Sequence, residues 1–144
     1  MSQYKAQANG AIKPAIQQFF ESFYAISDTP DDHEKYSQQF TKNAKLIIAS
    51  NEANGREGTG SEIMKMRTSM WEKVAKRSHE PKVIYAGASA NDVMLYGTVG
   101  YTLKDGKEAS VDWAARAHLV EEDWEWKMDF YQVYLDSAAM ARAK

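Results

Sequence analysis

Between residues 11 and 27, apolar side chains recur every three or four positions: Ile12, Ile16, Phe19, Phe20, Phe23, Tyr24 and Ile26. That period predicts a long amphipathic helix, with Pro14 accommodated in its first turn. Thr29-Pro30-Asp31-Asp32 ends it and offers Asp31 as the N-cap of a short second helix carrying His33, Tyr36 and Phe40. Leu46-Ile47-Ile48-Ala49 reads as a buried strand. Residues 54–60 form a loop by composition. Ser61 then caps a third helix whose buried stripe is Ile63, Met66, Met70 with Trp71, and Val74, and Lys76-Arg77 suit its C-terminal end.

Beyond Pro81 the pattern changes to strands, over 83–86, 93–103, 109–121 and 124–135. Asp105-Gly106 is a strong two-residue hairpin turn and Glu122-Asp123 a weaker one. No internal repeat interrupts this order. The first ten residues and the Ala-rich tail after Asp136 read as peripheral parts of a single domain over 1–144. Three helices followed by an antiparallel meander define an α+β fold, with the helices packed on one face of a curved sheet.

Composition narrows the function. The 144 residues are 44% hydrophobic and 26% charged, which excludes a disordered or low-complexity chain. Eighteen basic against twenty acidic residues, with no basic cluster, leave no electrostatic footprint for nucleic acid. No apolar run approaches the roughly 18 residues of a membrane helix. The opening Met-Ser-Gln-Tyr-Lys-Ala lacks the apolar stretch of a secretory leader, so the expectation is a cytoplasmic protein with no membrane partner. The absence of cysteine excludes disulfides, thiolate metal sites and cysteine nucleophiles. His33, His79 and His118 show no ligand spacing, so no metal is expected. The glycine-rich stretch 55–60 contains no lysine, and no Gly-x-Ser-x-Gly elbow exists. No cofactor is implied, and any chemistry falls to His, carboxylates, Tyr, Ser/Thr or Lys.

Two-residue turns at 105–106 and 122–123 set a register, and register decides which side chains share a face. Leu95 and Arg116 then pair, as do Val99 and Asp112, Arg116 and Asp129, and Ala114 and Tyr131. One face mixes Leu95 and Val99 with a polar centre of Asp112, Arg116, His118, Asp129 and Tyr131. Arg116 opposite Asp129 forms a bidentate pair that orients the carboxylate, and Asp112 supplies a second, less well paired one. In a dry pocket this set moves a proton or activates water, with Tyr131 or His118 as hydrogen-bond donor. The competing account is a structural ion pair that fixes register, a solvated His118 and a solvent-facing His33. The opposite face carries Tyr96, Trp113, Trp126, Met128 and Phe130, too aromatic to stand in water as one patch. A second copy of the chain is the simplest cover, which predicts a homodimer.

The order of elements, with Phe40-Thr41-Lys42-Asn43-Ala44 ahead of the first strand, residues 58–71 for the third helix and 128–136 for the last strand, resembles the nuclear transport factor 2-like, or SnoaL-like, superfamily. It is similar to small, single-domain members of the fungal type. One departure is Asn43, where many relatives have an acidic residue. The resemblance implies a cone-shaped curved sheet with the helices on its concave face, dimerisation through the convex face and a mixed face turned into the cone. Asp112, Arg116 and Asp129 then resemble the Arg and paired Asp of epoxide-hydrolase members, although Tyr131 or Val133 stands where their last-strand Asp lies. Tyr36 caps the mouth of the cone, Tyr24 reaches it as a phenol, and Met66 and Met70 join Leu95 and Val99 as a lining for a small hydrophobic molecule. The function implied is a ligand pocket running cofactor-free isomerisation, cyclisation, dehydration or hydrolysis. The alternative is a non-catalytic binding or dimerisation module, since the fold hosts both.

Overall fold

The first helix, α1 (Pro14–Ser27), buries Ile16, Phe19, Phe20, Phe23 and Tyr24 along one stripe, and Pro14 occupies its first turn. The missing amide of proline is no loss there, because the first N–H groups of a helix have no intrahelical acceptor. A computed structural model of the chain describes residues 2–56 and 61–144. Part of the glycine-rich stretch, residues 57–60, lies outside the described residues. The short α2 (His33–Ser37) starts from Asp32 rather than the expected Asp31. In α3 (Glu62–Met70) the Ser61 hydroxyl accepts the Met64 amide at 3.2 Å, so the expected cap is in place.

Among the described residues seven strands, β1 (Gln7–Asn9), β2 (Phe40–Ile48), β3 (Asn51–Asn54), β4 (Val74–Ala86), β5 (Asp92–Leu103), β6 (Glu108–Glu122) and β7 (Glu125–Leu135), form one curved, unclosed sheet in the order β1-β4-β5-β6-β7-β2-β3. The helices pack with this sheet, as the α+β reading expects. The inner face is apolar: Leu95, Val99, Trp113, Ala115, Ala117, Leu119, Met128, Tyr131 and Val133 are buried with the α1 aromatics. Among the described residues no helix is long and apolar enough to cross a membrane.

Four departures from the sequence reading position the site. First, α3 ends at Met70, and β4 begins at Val74 rather than after Pro81. Lys76 and Arg77 therefore lie on a strand, not at a helix terminus. Pro81, which has no N–H for the ladder, sits at a register shift in β4. Gly97 faces this point, where a Cβ would lie 2.4 Å from the Glu80 carbonyl oxygen.

Second, the β5–β6 loop has three residues. The Leu103 N–H donates the closing bond to the Lys107 carbonyl at 2.8 Å, and Gly106 takes φ +91°. This three-residue loop with a left-handed glycine slips β6 by one position against the two-residue register. Val99 pairs with Val111 and Leu95 with Ala115, so Asp112, Arg116 and His118 turn to the outer face.

Third, the β6–β7 turn is Asp123-Trp124, both at positive φ, not Glu122-Asp123. Asp129 is then an extra residue: His118 pairs with Phe130 and Leu119 with Met128. The bulge leaves Tyr131 and Val133 on the inner face while Trp113 and Met128 are buried in the core rather than exposed on an outer patch. Trp126 packs against the core edge beneath the Lys13 ammonium, 5.2 Å from its ring.

Fourth, the two terminal segments, expected to be peripheral, are joined to the sheet. Ala6 is buried, β1 adds a parallel edge to β4, and the backbone of Lys144 exchanges two hydrogen bonds with Glu108.

Candidate functional site

Asp28 directly follows the last residue of α1, and the helix curls so that its backbone N–H bonds the Tyr24 carbonyl. This turns its side chain onto β4. One carboxylate oxygen lies 2.6 Å from His79 Nδ1, and the other accepts the His79 backbone N–H at 2.7 Å. The side chains of the pair are 15% and 5% exposed, for His79 and Asp28, so the contact is shielded from competing water. A carboxylate opposite Nδ1 selects the tautomer that carries its proton there and leaves Nε2 with a free lone pair. Burial holds the His79 pKa below its ordinary value; the bond to Asp28 and its charge oppose that shift, while Arg77 and Arg67 add to it. The ring is therefore neutral, and basic at Nε2, at neutral pH.

Tyr4, from the segment leading into β1, touches Asp28 as well. Its phenol is pushed up to about 12, first by burial and then by the charge of Asp28 and a hydrogen bond to it. Gln3 reaches the same strand, donating to the Ser78 hydroxyl at 2.9 Å and the His79 carbonyl at 3.0 Å. The N-terminal segment thus braces the dyad from outside.

His79 lines a cavity of about 60 Å³ shared with Phe23, Ser27, Tyr36, Met70, Arg77, Val99, Tyr101, Trp113 and Tyr131. A second chamber of about 180 Å³ adjoins it through Ile48, Met70, Arg77, Tyr101 and Leu135, and opens toward Asp136, Ser137 and Met140 of the C-terminal segment. In the inner chamber the His79 ring lies 5.0 Å from that of Tyr24 and 5.8 Å from that of Trp113, centroid to centroid. Tyr131 and Tyr24 share a hydrogen bond of 2.8 Å between their hydroxyls. Burial raises both phenols, so both stay protonated.

Two arginines support this wall, Arg67 from behind and Arg77 as part of it. Arg67 is fully buried, and its guanidinium donates to the carbonyls of Ser27 and Thr29 at 2.6 Å each and of Ile26 at 3.4 Å, and to His33 Nδ1 at 3.3 Å. It ties the C-terminal end of α1 to α2. His33 is thus a half-buried acceptor, not the solvent-facing residue expected, and burial followed by Arg67 lowers its pKa. Arg77 donates to the Met70 carbonyl at 2.7 Å and stacks on Trp71 and Tyr101, at 4.7 and 5.3 Å from their centroids. Burial disfavours its charge, and Tyr101, Tyr36 and Asp28 oppose that effect.

Of the residues singled out from sequence, Tyr36, Met70, Val99 and Tyr131 line the inner chamber, and Tyr24 stands behind Tyr131. Leu95 is buried in the core, and Met66 packs against its edge. The expected cluster of Asp112, Arg116, Asp129 and His118 does not assemble in the pocket. Asp112 and Arg116 are exposed, and Arg116 stacks on Phe130 at 4.3 Å rather than pairing with Asp129. Asp129 instead meets His118 Nδ1 at 2.7 Å on the half-exposed outer surface.

Asp28, His79, Arg77 and Trp113 were not anticipated as site residues. The available signal was a period-two run, Arg77, His79 and Pro81, on one side of a strand. Its polarity concealed it, because an inward-facing Arg and His do not register as a hydrophobic face.

No family model and no curated protein matches the chain. Solved structures do match its fold. A candidate aromatic ring hydroxylase from Novosphingobium aromaticivorans superposes with TM-score 0.74 at 17% identity, over 85% of this chain and 90% of that one. A candidate scytalone dehydratase from the same organism gives 0.73 at 16%, over 85% and 82%. Nuclear transport factor 2 from Cryptosporidium parvum gives 0.69 at 14%, over 91% and 99%. The chain has the nuclear transport factor 2-like, SnoaL-like fold that its order of elements resembles.

Proposed function

We propose that this protein is a cofactor-independent acid–base enzyme that moves a proton at a carbon atom of a small, largely apolar molecule, with His79 as the base and Asp28 as the residue that orients it. The carrying observation is the two-point grip of Asp28 on His79 in the wall of the cavity. A neutral imidazole with Nδ1 bonded to a buried carboxylate is a base whose protonated form that carboxylate stabilises.

In the reaction, Nε2 takes a proton from a C–H of the bound molecule, and the C–H electron pair forms a C=C bond. The imidazolium shares its charge with Asp28. The electrons end on a departing group at the neighbouring carbon, giving elimination, or return to a proton delivered at another carbon, giving isomerisation. The Tyr131 phenol, held by Tyr24, is placed to donate a hydrogen bond to developing negative charge. One structural neighbour, the candidate scytalone dehydratase, is named for an elimination of this kind.

The test is proton–deuterium exchange followed by NMR. Small ketones and carboxylic acids with acidic C–H bonds are incubated in D2O with the wild type, His79→Asn and Asp28→Asn. Exchange by the wild type and its loss in both variants, with circular dichroism unchanged, is the expected result. Exchange that survives His79→Asn rejects the assignment of the base; no exchange with any compound leaves the binding-module alternative.

We also propose that two copies pair through the outer sheet face, where Tyr85, Met94, Tyr96 and Tyr134 are exposed. Light scattering on the eluting protein reads this directly: a dimer mass supports it and a monomer mass rejects it.

A further inference from the structure

The unpartnered polar atoms around the cavity share one character. Trp113 Nε1, Arg77 Nε and Trp71 Nε1 are buried N–H donors with no acceptor among the described residues. Leaving such a group unpaired is costly, because the bonds it made to water are not replaced. Arg77 and Trp113 both line the inner chamber, and Trp71 lies against the Arg77 guanidinium. Among the described residues no Asp or Glu forms a salt bridge with Arg77, although it is 7% exposed. Arg67, equally without a carboxylate, instead spends its N–H groups on the carbonyls at the end of α1. Arg77 has one carbonyl, a hydrogen bond with Tyr101 and two ring faces, and among the described residues no carboxylate pairs with it directly; the charge of Asp28 acts on it without a salt bridge.

His79 stands two residues further along the same inward face of β4. Alternate residues of a strand are about 6.4–6.8 Å apart. An oxyanion held at Arg77 therefore brings a carbon one or two bonds away against His79. The inner chamber admits a head group, and the wider outer chamber, lined by Ile48, Val111, Leu135 and Met140, admits an apolar body.

We infer that the site takes a small apolar carboxylic acid, its carboxylate received by Arg77 with the Trp113 indole N–H and its acidic C–H presented to His79. The inference rests on the proposed acid–base function for the role of His79, but the carboxylate preference belongs to Arg77 and Trp113 and not to His79.

The experiment is equilibrium titration followed by tryptophan fluorescence and calorimetry in a buffer free of carboxylate and phosphate. Two pairs of probes differ only at the head group: benzoate against benzyl alcohol, and isobutyrate against isobutanol. In the wild type at least one acid binds about tenfold or more tightly than its alcohol, the range expected of a shielded charge-assisted contact. Arg77→Met removes that difference, Arg77→Lys keeps part of it, and His79→Asn leaves it in place.

Equal affinity of acid and alcohol in both pairs, or no binding of either acid, overturns the inference; so does an Arg77→Met protein that keeps the preference. If Arg77→Met does not fold, the wild-type ratios decide. A carboxylate preference that persists while His79→Asn still exchanges protons overturns the catalytic assignment and leaves this one standing.

Discussion

Asp28 grips His79 at both the ring and the backbone, at 2.6 and 2.7 Å, across 51 positions of sequence. The carboxylate follows the end of a helix and the imidazole sits in the middle of a strand. Only the packing of α1 against β4 brings them together, and the result is an oriented base in the wall of a cavity.

Acid should destabilise the fold through His79. Its folded pKa lies below the ordinary value of 6.5 because burial disfavours the charged ring. The unfolded chain therefore takes up a proton at higher pH than the folded one. The stabilisation is fully present above pH 6.5 and is lost as the pH falls below it toward the folded pKa. His33, lowered by its burial and by Arg67, works in the same direction. Melting temperatures between pH 7.5 and 5.0 should fall for the wild type, less for His79→Gln or His33→Gln, and least for the double variant.

The hydroxyls of Tyr24 and Tyr131 satisfy each other in the core. Tyr24→Phe or Tyr131→Phe alone leaves one hydroxyl without its partner and should cost about 1–2 kcal/mol. The double Phe variant should recover a good part of that loss. Urea unfolding of all four proteins measures the coupling, and strict additivity would argue against the bond.

Arg67 should matter more than its distance from the cavity suggests. Three of its four contacts hold the carbonyls of Ile26, Ser27 and Thr29 on either side of Asp28, and the fourth reaches His33. Arg67→Met should destabilise by about 3 kcal/mol or more, since it strips several buried carbonyls of a charged donor. Arg67→Lys keeps the charge but not the fork and should recover only a fraction. Denaturant midpoints for the two variants give the comparison.

Gly97→Ala tests the bulge at Pro81. The added methyl meets the Glu80 carbonyl oxygen at 2.4 Å and Pro81 Cα at 2.8 Å, both backbone atoms that cannot rotate away. A loss of about 1–3 kcal/mol is expected, the usual range for overpacking. Gly100→Ala, on the same strand with open space around its Cα, is the control and should unfold close to the wild-type midpoint.

Legible in the chain alone were the three helices, the final meander, the α+β class and the aromatic stripe of α1, because a stripe spaced at 3.6 residues has to face a core whatever lies opposite; the short strands β1 and β3 and the early start of β4 were not. The sequence also marked Tyr36, Met70, Val99 and Tyr131, four residues of the cavity wall. Tertiary structure decided the rest. A loop of three residues rather than two at Lys104, Asp105 and Gly106 turned Asp112 and Arg116 outward, and one extra residue at Asp129 returned Tyr131 to the interior. Strand side chains alternate with a period of two, so a slip of one position inverts a whole face. Turn length and bulges follow from the twist and packing of the finished sheet, which local composition does not encode. Asp28 and His79 were hidden for a related reason: neither lies on an apolar pattern, and their meaning comes from a contact that exists only when α1 closes over β4.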